Sequence, residues 1–225
     1  MTKAIIFDLD GTLVDSLKRV YSFMRELCKR HNKYYGVNGQ EIESPELLKK
    51  YWQEPFYKTF ELFGFTWKKD KEKIQLAYNE YMAKNLPELY NGMYRLLKRL
   101  KEIDSTIGIV TSSLKPTVEA TLKKNNLTSI IDHVVCDDGT KLEPKPSPDY
   151  LKRFLKETKI KPERAVYIGD LHSDIQAAKA AGMHSIGVSW GFGHHHAILK
   201  EQPTDAAVTI RSLESIIYKI LRQIS

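Results

Sequence analysis

Seven side chains of this 225-residue chain are of types that act together in acid, base and ion chemistry: Asp8, Asp10, Thr111, Ser112, Lys145, Asp170 and Asp174. Asp8 and Asp10 stand in Phe7-Asp-Leu-Asp-Gly-Thr12, directly after an apolar run. Alternate residues of an extended chain point the same way, so these two carboxylates share a side. Like charges at that spacing repel. A chain tolerates this where a cation sits between them or where they carry out chemistry; a surface turn of the Asp-x-Asp-Gly kind is the alternative. Gly11 permits the tight change of direction that follows. Thr111 and Ser112 offer a hydroxyl and N–H groups able to hold an anion, or else cap a helix around Val118. Lys145 lies between Pro144 and Pro146, which stiffen its backbone. Asp170 and Asp174 lie in Gly169-Asp-Leu-His-Ser-Asp174, where they could equally cap and charge-balance the start of a helix over residues 175–181.

These residues need a scaffold that brings them to one place. Short β-rich runs recur at residues 4–7, 107–110, 133–136, 165–168, 185–188 and 206–208, alternating with helical patterns from about residue 92 onward. Such alternation predicts an α/β fold, a doubly wound parallel sheet of Rossmann-like type with helices on both faces. In an open parallel sheet, ligands bind at the carboxyl ends of the strands. The two acids, the hydroxyls, the lysine and the second acid pair each follow a predicted strand, and so approach one edge.

Residues 17–87 break the alternation. Residues 17–31 read as an amphipathic helix, Ser44-Pro45-Glu46 as a helix start, and residues 71–84 as a further helix, with no convincing strand. An all-helical inserted cap is expected over 17–87, with the α/β core over 1–16 and 88–225. Its many aromatics, Tyr51, Trp52, Phe56, Tyr57, Phe60, Phe63, Phe65 and Trp67 among them, are expected to form mostly the core of a small bundle.

Bulk composition narrows the class. Hydrophobic residues make up 42% and charged residues 28%, ordinary for a globular protein. No apolar run approaches the roughly 20 residues that span a bilayer. Two cysteines, Cys28 and Cys136, make no disulfide framework; a reduced, cytoplasmic setting is expected. The net charge of +7 is spread over many helices, so a basic surface that attracts small anions is expected, not a nucleic-acid or membrane partner. His194-His195-His196 cannot all face one ion in a regular helix or strand, which assigns them to a loop or helix start beside Gly191 and Gly193.

Taken together, Asp8-x-Asp10-Gly11-Thr12, Thr111 at a strand end, Lys145 in Lys-Pro and Gly169-Asp170-x-x-x-Asp174 resemble the haloacid dehalogenase superfamily of phosphohydrolases. The resemblance covers essentially the whole chain. Ile168-Gly-Asp, Ala180-Ala-Gly-Met183 and Gly187-Val-Ser-Trp-Gly191 are similar to its phosphoglycolate phosphatase-like branch, and the insert looks like its small α-helical cap. Dehalogenases of the superfamily lack the second aspartate, which is present here as Asp10.

The resemblance implies a nucleophilic Asp8 that forms an aspartyl-phosphate and an Asp10 that serves as general acid and then base. It implies Mg²⁺ held by Asp8, the Asp10 carbonyl and Asp170 with support from Asp174. Thr111, Ser112 and Lys145 would hold the phosphoryl group. The cap would close over the site about hinges at 13–17 and 87–92 and choose the leaving group. The expected substrate is a small phosphorylated metabolite and the expected state a monomer or homodimer. A phosphomutase, a pyrophosphatase and a non-catalytic phosphate-binding homologue keep the same residues. Response-regulator receivers share an acid cluster, a hydroxyl and a lysine, but carry no cap, and their phosphorylated aspartate does not follow the first strand.

Overall fold

The computed structural model describes residues 3–54 and 56–224. The chain divides into two compact units, Met1–Asp15 with Glu88–Ser225, and Ser16–Pro87.

The first unit is built on a six-stranded, wholly parallel sheet. Its strands are β1 (Lys3–Phe7), β4 (Ser105–Leu114), β5 (His133–Asp137), β6 (Ala165–Gly169), β7 (His184–Val188) and β8 (Asp205–Ala207). They lie in the order β5-β4-β1-β6-β7-β8. The chain therefore works outward from β1 to one edge, then returns to add β6 on the other side. This reversal makes the gap between β1 and β6 the point at which a doubly wound sheet opens a crevice at its carboxyl ends.

Alternation along the strands feeds two separate cores. Ile5, Phe7, Ile107, Ile109, Val166 and Ile168 face α5 (Met93–Lys101), α6 (Lys115–Lys124) and α10 (Ile210–Gln223). Ala4, Ile6, Val110 and Tyr167 face α7 (Asp149–Thr158) and α8 (His172–Ala180). Burial on both faces is why these strands read as short, almost unbroken apolar runs. Phe154 of α7 lies directly on Gly108 of β4, where a Cβ would come within 2.3 Å of its ring. Among the described residues no helix is long and apolar enough to cross a membrane.

The second unit holds α1 (Leu17–Arg30), α2 (Pro45–Tyr51), α3 (Tyr57–Leu62) and α4 (Trp67–Lys84). Ser44 caps α2, its hydroxyl accepting from Leu47 N at 3.1 Å. The unit is not purely helical, as the sequence pattern suggested. Gly36–Val37 (β2) and Gln40–Glu41 (β3) form a small antiparallel hairpin. Asn38 and Gly39 both adopt positive φ, 51° and 80°, at its two-residue turn. That conformation matches the twist of paired strands, and Asn-Gly is the pair that adopts it most cheaply. Strands of two residues are too short to show the alternation by which strands are recognised, so only the turn carried a signal. The aromatics do pack together: Phe23, Phe60, Phe63 and Phe65 are buried, and Trp67 lies against Tyr57 and Phe60.

Phe154 fills the space that Gly108 leaves, so Phe154→Ala opens a cavity beneath β4. A loss of about 3–5 kcal/mol of stability is expected, read as a lowered midpoint in chemical denaturation; an unchanged midpoint would contradict this packing.

Candidate functional site

Asp8 owes its position to strand alternation. Ala4 and Ile6 face α7 and α8, and Asp8 continues the same side one residue past the end of β1, its N–H donating to the Ile168 carbonyl at 2.8 Å. Asp170 follows β6 directly, and Asp174 lies in the first turn of α8. One oxygen from each of Asp8, Asp170 and Asp174 lies within 4.8 Å of the others, and all three residues are buried. Lys145, brought in by the loop before α7, places its Nζ 2.6 Å from Asp8 Oδ1 and 2.6 Å from Asp174 Oδ1.

Asp170 is gripped from three sides. Thr12 Oγ1 donates to its Oδ1 at 3.0 Å and Phe192 N–H to its Oδ2 at 2.7 Å. The surrounding backbone comes so close that only glycine fits. A Cβ at Gly11 or Gly191 would lie 2.5 or 2.2 Å from Asp170 Oδ2, and one at Gly193 would lie 1.8 Å from the Asp170 carbonyl oxygen. Trp190 Nε1 donates to the Thr12 carbonyl at 3.1 Å and joins the loop after β7 to the loop after β1. Asp174 has its other oxygen, Oδ2, accepting from Leu171 N–H at 2.9 Å. The helix-capping role considered for Asp174 is therefore real, and it coexists with the contact to Lys145. The helix itself begins at His172, not near 175, because this cap organises the turn earlier.

Thr111 and Ser112 sit where β4 runs out toward the same edge, Thr111 buried and Ser112 exposed. They do not cap α6. The strand continues to Leu114, and α6 starts at Lys115 with a proline in its first turn. Ser113 continues the hydroxyl run of Thr111 and Ser112. Its Oγ donates to Asp10 Oδ2 at 2.6 Å and its N–H to Thr111 Oγ1 at 3.2 Å. Asp10 is thus directed toward the end of β4 and is not part of the three-carboxylate cluster. The histidine run begins the short helix α9 (His195–Lys200), with the His194 and His196 rings stacked 5.8 Å apart.

The electrostatics are those of a site built around surplus negative charge. Burial, outweighing the help of Lys145, pushes the Asp8 carboxyl up from an ordinary 3.8 to about 7, and Asp174 adds to the rise. Burial also holds Asp170 well above the carboxylate range, with Asp174 and Asp8 contributing. Burial alone would weaken the hold of Lys145 on its proton, but Asp174 and Asp8 together more than reverse this. Three clustered carboxylates facing one ammonium fit a hard divalent cation with oxygen ligands. Asp8 and Asp170 are suited to ligate it. Asp174, the third member of the cluster, is suited to support it, directly or through Lys145.

The model of the haloacid dehalogenase-like hydrolase family matches residues 5–188. The chain is 32% identical over 189 residues to the pyrophosphatase PpaX of Bacillus velezensis, covering 83% of each chain. It is 32% identical over 193 residues to the PpaX of Bacillus cereus, covering 83% of this chain and 82% of the relative. The fold matches that of a haloacid dehalogenase-like family hydrolase from Streptococcus pneumoniae at a TM-score of 0.77, with 23% identity over 96% of this chain and 98% of the other.

Gly193→Ala must displace the Asp170 backbone, so Mg²⁺ affinity measured by calorimetry is expected to fall by about 10-fold or more; unchanged affinity would remove Asp170 from the metal site. The raised Asp8 value has a definite sign. Between about pH 4 and 7 the folded, metal-free protein holds a proton that the unfolded chain has released, so this contribution to stability is lost as pH rises through about 7. The stability of metal-free wild type relative to Asp8→Asn should therefore decline across that window and level off above it. A pH-independent difference would contradict the desolvated state of Asp8.

Proposed function

We propose that this chain, which belongs to the haloacid dehalogenase-like hydrolase family, is a Mg²⁺-dependent phosphatase that hydrolyses a small phosphate monoester through an aspartyl-phosphate on Asp8. The observation that carries this reading is the Lys145 ammonium 2.6 Å from Asp8 in a cluster of buried carboxylates. A desolvated carboxylate beside a fixed ammonium is equipped to attack a phosphoryl group that would otherwise repel it.

In the first step an Asp8 oxygen bonds to phosphorus in line with the ester oxygen. The P–O ester bond breaks, and Asp10 gives its proton to the departing oxygen. In the second step Asp10 takes a proton from a water whose oxygen bonds to phosphorus, and Asp8 leaves as a carboxylate. Thr111 and the Ser112 N–H bind the phosphoryl oxygens, and Lys145 balances charge as the group transfers. Mg²⁺, held by Asp8 and Asp170 with Asp174 in support, would supply further charge neutralisation. Ser113 sets the orientation from which Asp10 delivers its proton. Positioning and charge stabilisation of this kind are the main demands of phosphoryl transfer.

A second reading takes inorganic pyrophosphate as the substrate, with phosphate as the leaving group; the name borne by the Bacillus relatives favours it. Phosphate release from a panel containing phosphoglycolate, sugar phosphates, nucleotides, 4-nitrophenyl phosphate and pyrophosphate separates the two. Release is expected with Mg²⁺ and is expected to vanish with chelator. Asp8→Asn should keep the fold and lose turnover by at least about 10³-fold, since it removes the nucleophile. Full activity in that variant would overturn the mechanism.

A further inference from the structure

The mechanism above makes no use of Tyr167, yet its hydroxyl sits inside the charge cluster. The ring is wholly buried on the α7–α8 face of the sheet. Its hydroxyl donates to the Val110 carbonyl at 2.9 Å and accepts from Lys145 Nζ at 3.1 Å, while Asp8 Oδ1 and Asp174 Oδ1 each stand 3.4 Å from the same oxygen. A phenol has a single proton. A carbonyl can only accept, so the contact to Val110 takes that proton and turns the lone pairs of the hydroxyl toward Lys145.

The hydrogen-bond count on Lys145 is then complete. An ammonium has three N–H donors, and three acceptors surround it: Asp8, Asp174 and Tyr167, at 2.6, 2.6 and 3.1 Å. A lysine stem is flexible, and two acceptors leave the head free to pivot about the line joining them; a third removes that freedom. The third is a neutral oxygen. A third carboxylate would deepen a surplus of buried negative charge, and an apolar side chain would leave a buried N–H without a partner, which is costly. The route of the side chain adds a second consequence. β1 lies between β6, which carries Tyr167, and β4, which carries Val110, so Tyr167 spans the strand that leads to Asp8 and ties Lys145 to the strand that carries Thr111.

We propose that Tyr167 is a positioning residue that locks the Lys145 ammonium onto Asp8 by serving as its third acceptor. Its consequence for turnover rests on the phosphatase reading; its hold on Lys145 does not. Tyr167→Phe keeps the ring and deletes the acceptor. Competitive acetylation with acetic anhydride, read by mass spectrometry for each lysine, measures how firmly Lys145 is held. In the Mg²⁺-loaded protein Lys145 should label several-fold faster in Tyr167→Phe than in wild type, while the exposed Lys152 and Lys156 keep their rates. A general loosening of the fold would instead raise the rates of other protected amines as well. Tyr167→Met, which also lacks the hydroxyl but has a flexible chain to fill the space, should give the same selective gain if the Phe variant proves unstable. Lys145 labelling that stays at the wild-type rate in both variants overturns the proposal. With 4-nitrophenyl phosphate, kcat is expected to fall by about 10-fold, as loss of a hydrogen bond to a charged group implies. Absence of phosphate release from wild type would strike the phosphatase reading alone, since the labelling requires no turnover.

Discussion

Everything at this sheet edge answers to one constraint: three buried carboxylates must be held at one point against their mutual repulsion. Asp8, Asp170 and Asp174 bring more negative charge than the single ammonium of Lys145 can balance. The protein meets the difference with directed dipoles. The N–H groups of Leu171 and Phe192 and the hydroxyl of Thr12 each donate to a carboxylate oxygen. Donors fixed in a water-poor setting are worth more than the same groups in water. What they leave unbalanced is charge that a divalent cation would neutralise.

That constraint explains a set of glycines whose purpose is invisible locally. Gly191 and Gly193 follow β7, and neither has a left-handed φ that would call for glycine. They are glycine because the backbone there passes against Asp170, with no room for a Cβ. Gly169 is similar, since a Cβ on it would meet Asp174 at 2.4 Å. Gly11 combines both reasons, a φ of 83° and the press of Asp170. The carboxylates are thus enclosed as much by the absence of side chains as by the presence of donors.

The order of the strands decides which residues can take part. Because β1 lies between β4 and β6, the residues at the carboxyl ends of these three strands converge. Asp8 comes from the first, Thr111 and Ser113 from the second, and Asp170 from the third. Helices α7 and α8 pack on the same face and deliver Lys145 from the loop before one and Asp174 from the first turn of the other. Six residues spread over more than 160 positions are thereby brought to one sheet edge.

Much of this was legible in the chain itself. Each of the six core strands announces itself as a short apolar run, because a parallel sheet covered on both faces needs apolar residues on both. The acids, hydroxyls and lysine are visible because each follows such a run. The β2–β3 hairpin was missed because two-residue strands have no period to detect, although Asn38-Gly39 carried the turn. The partners of Ser113 and Thr12, and the parts played by Phe192 and Tyr167, were missed for another reason. A serine, a threonine, a backbone N–H and a buried tyrosine are unremarkable in type, and their roles come from what lies opposite them in space. Local chemistry and periodicity, which are properties of neighbouring residues, determined the strands, the family and the charged members of the site. Only tertiary structure decided that Lys145 bridges Asp8 to Asp174, that Asp10 turns toward Ser113, and that a tyrosine two strands away from Val110 completes the lysine's contacts, because those distances depend on strand order and not on sequence separation.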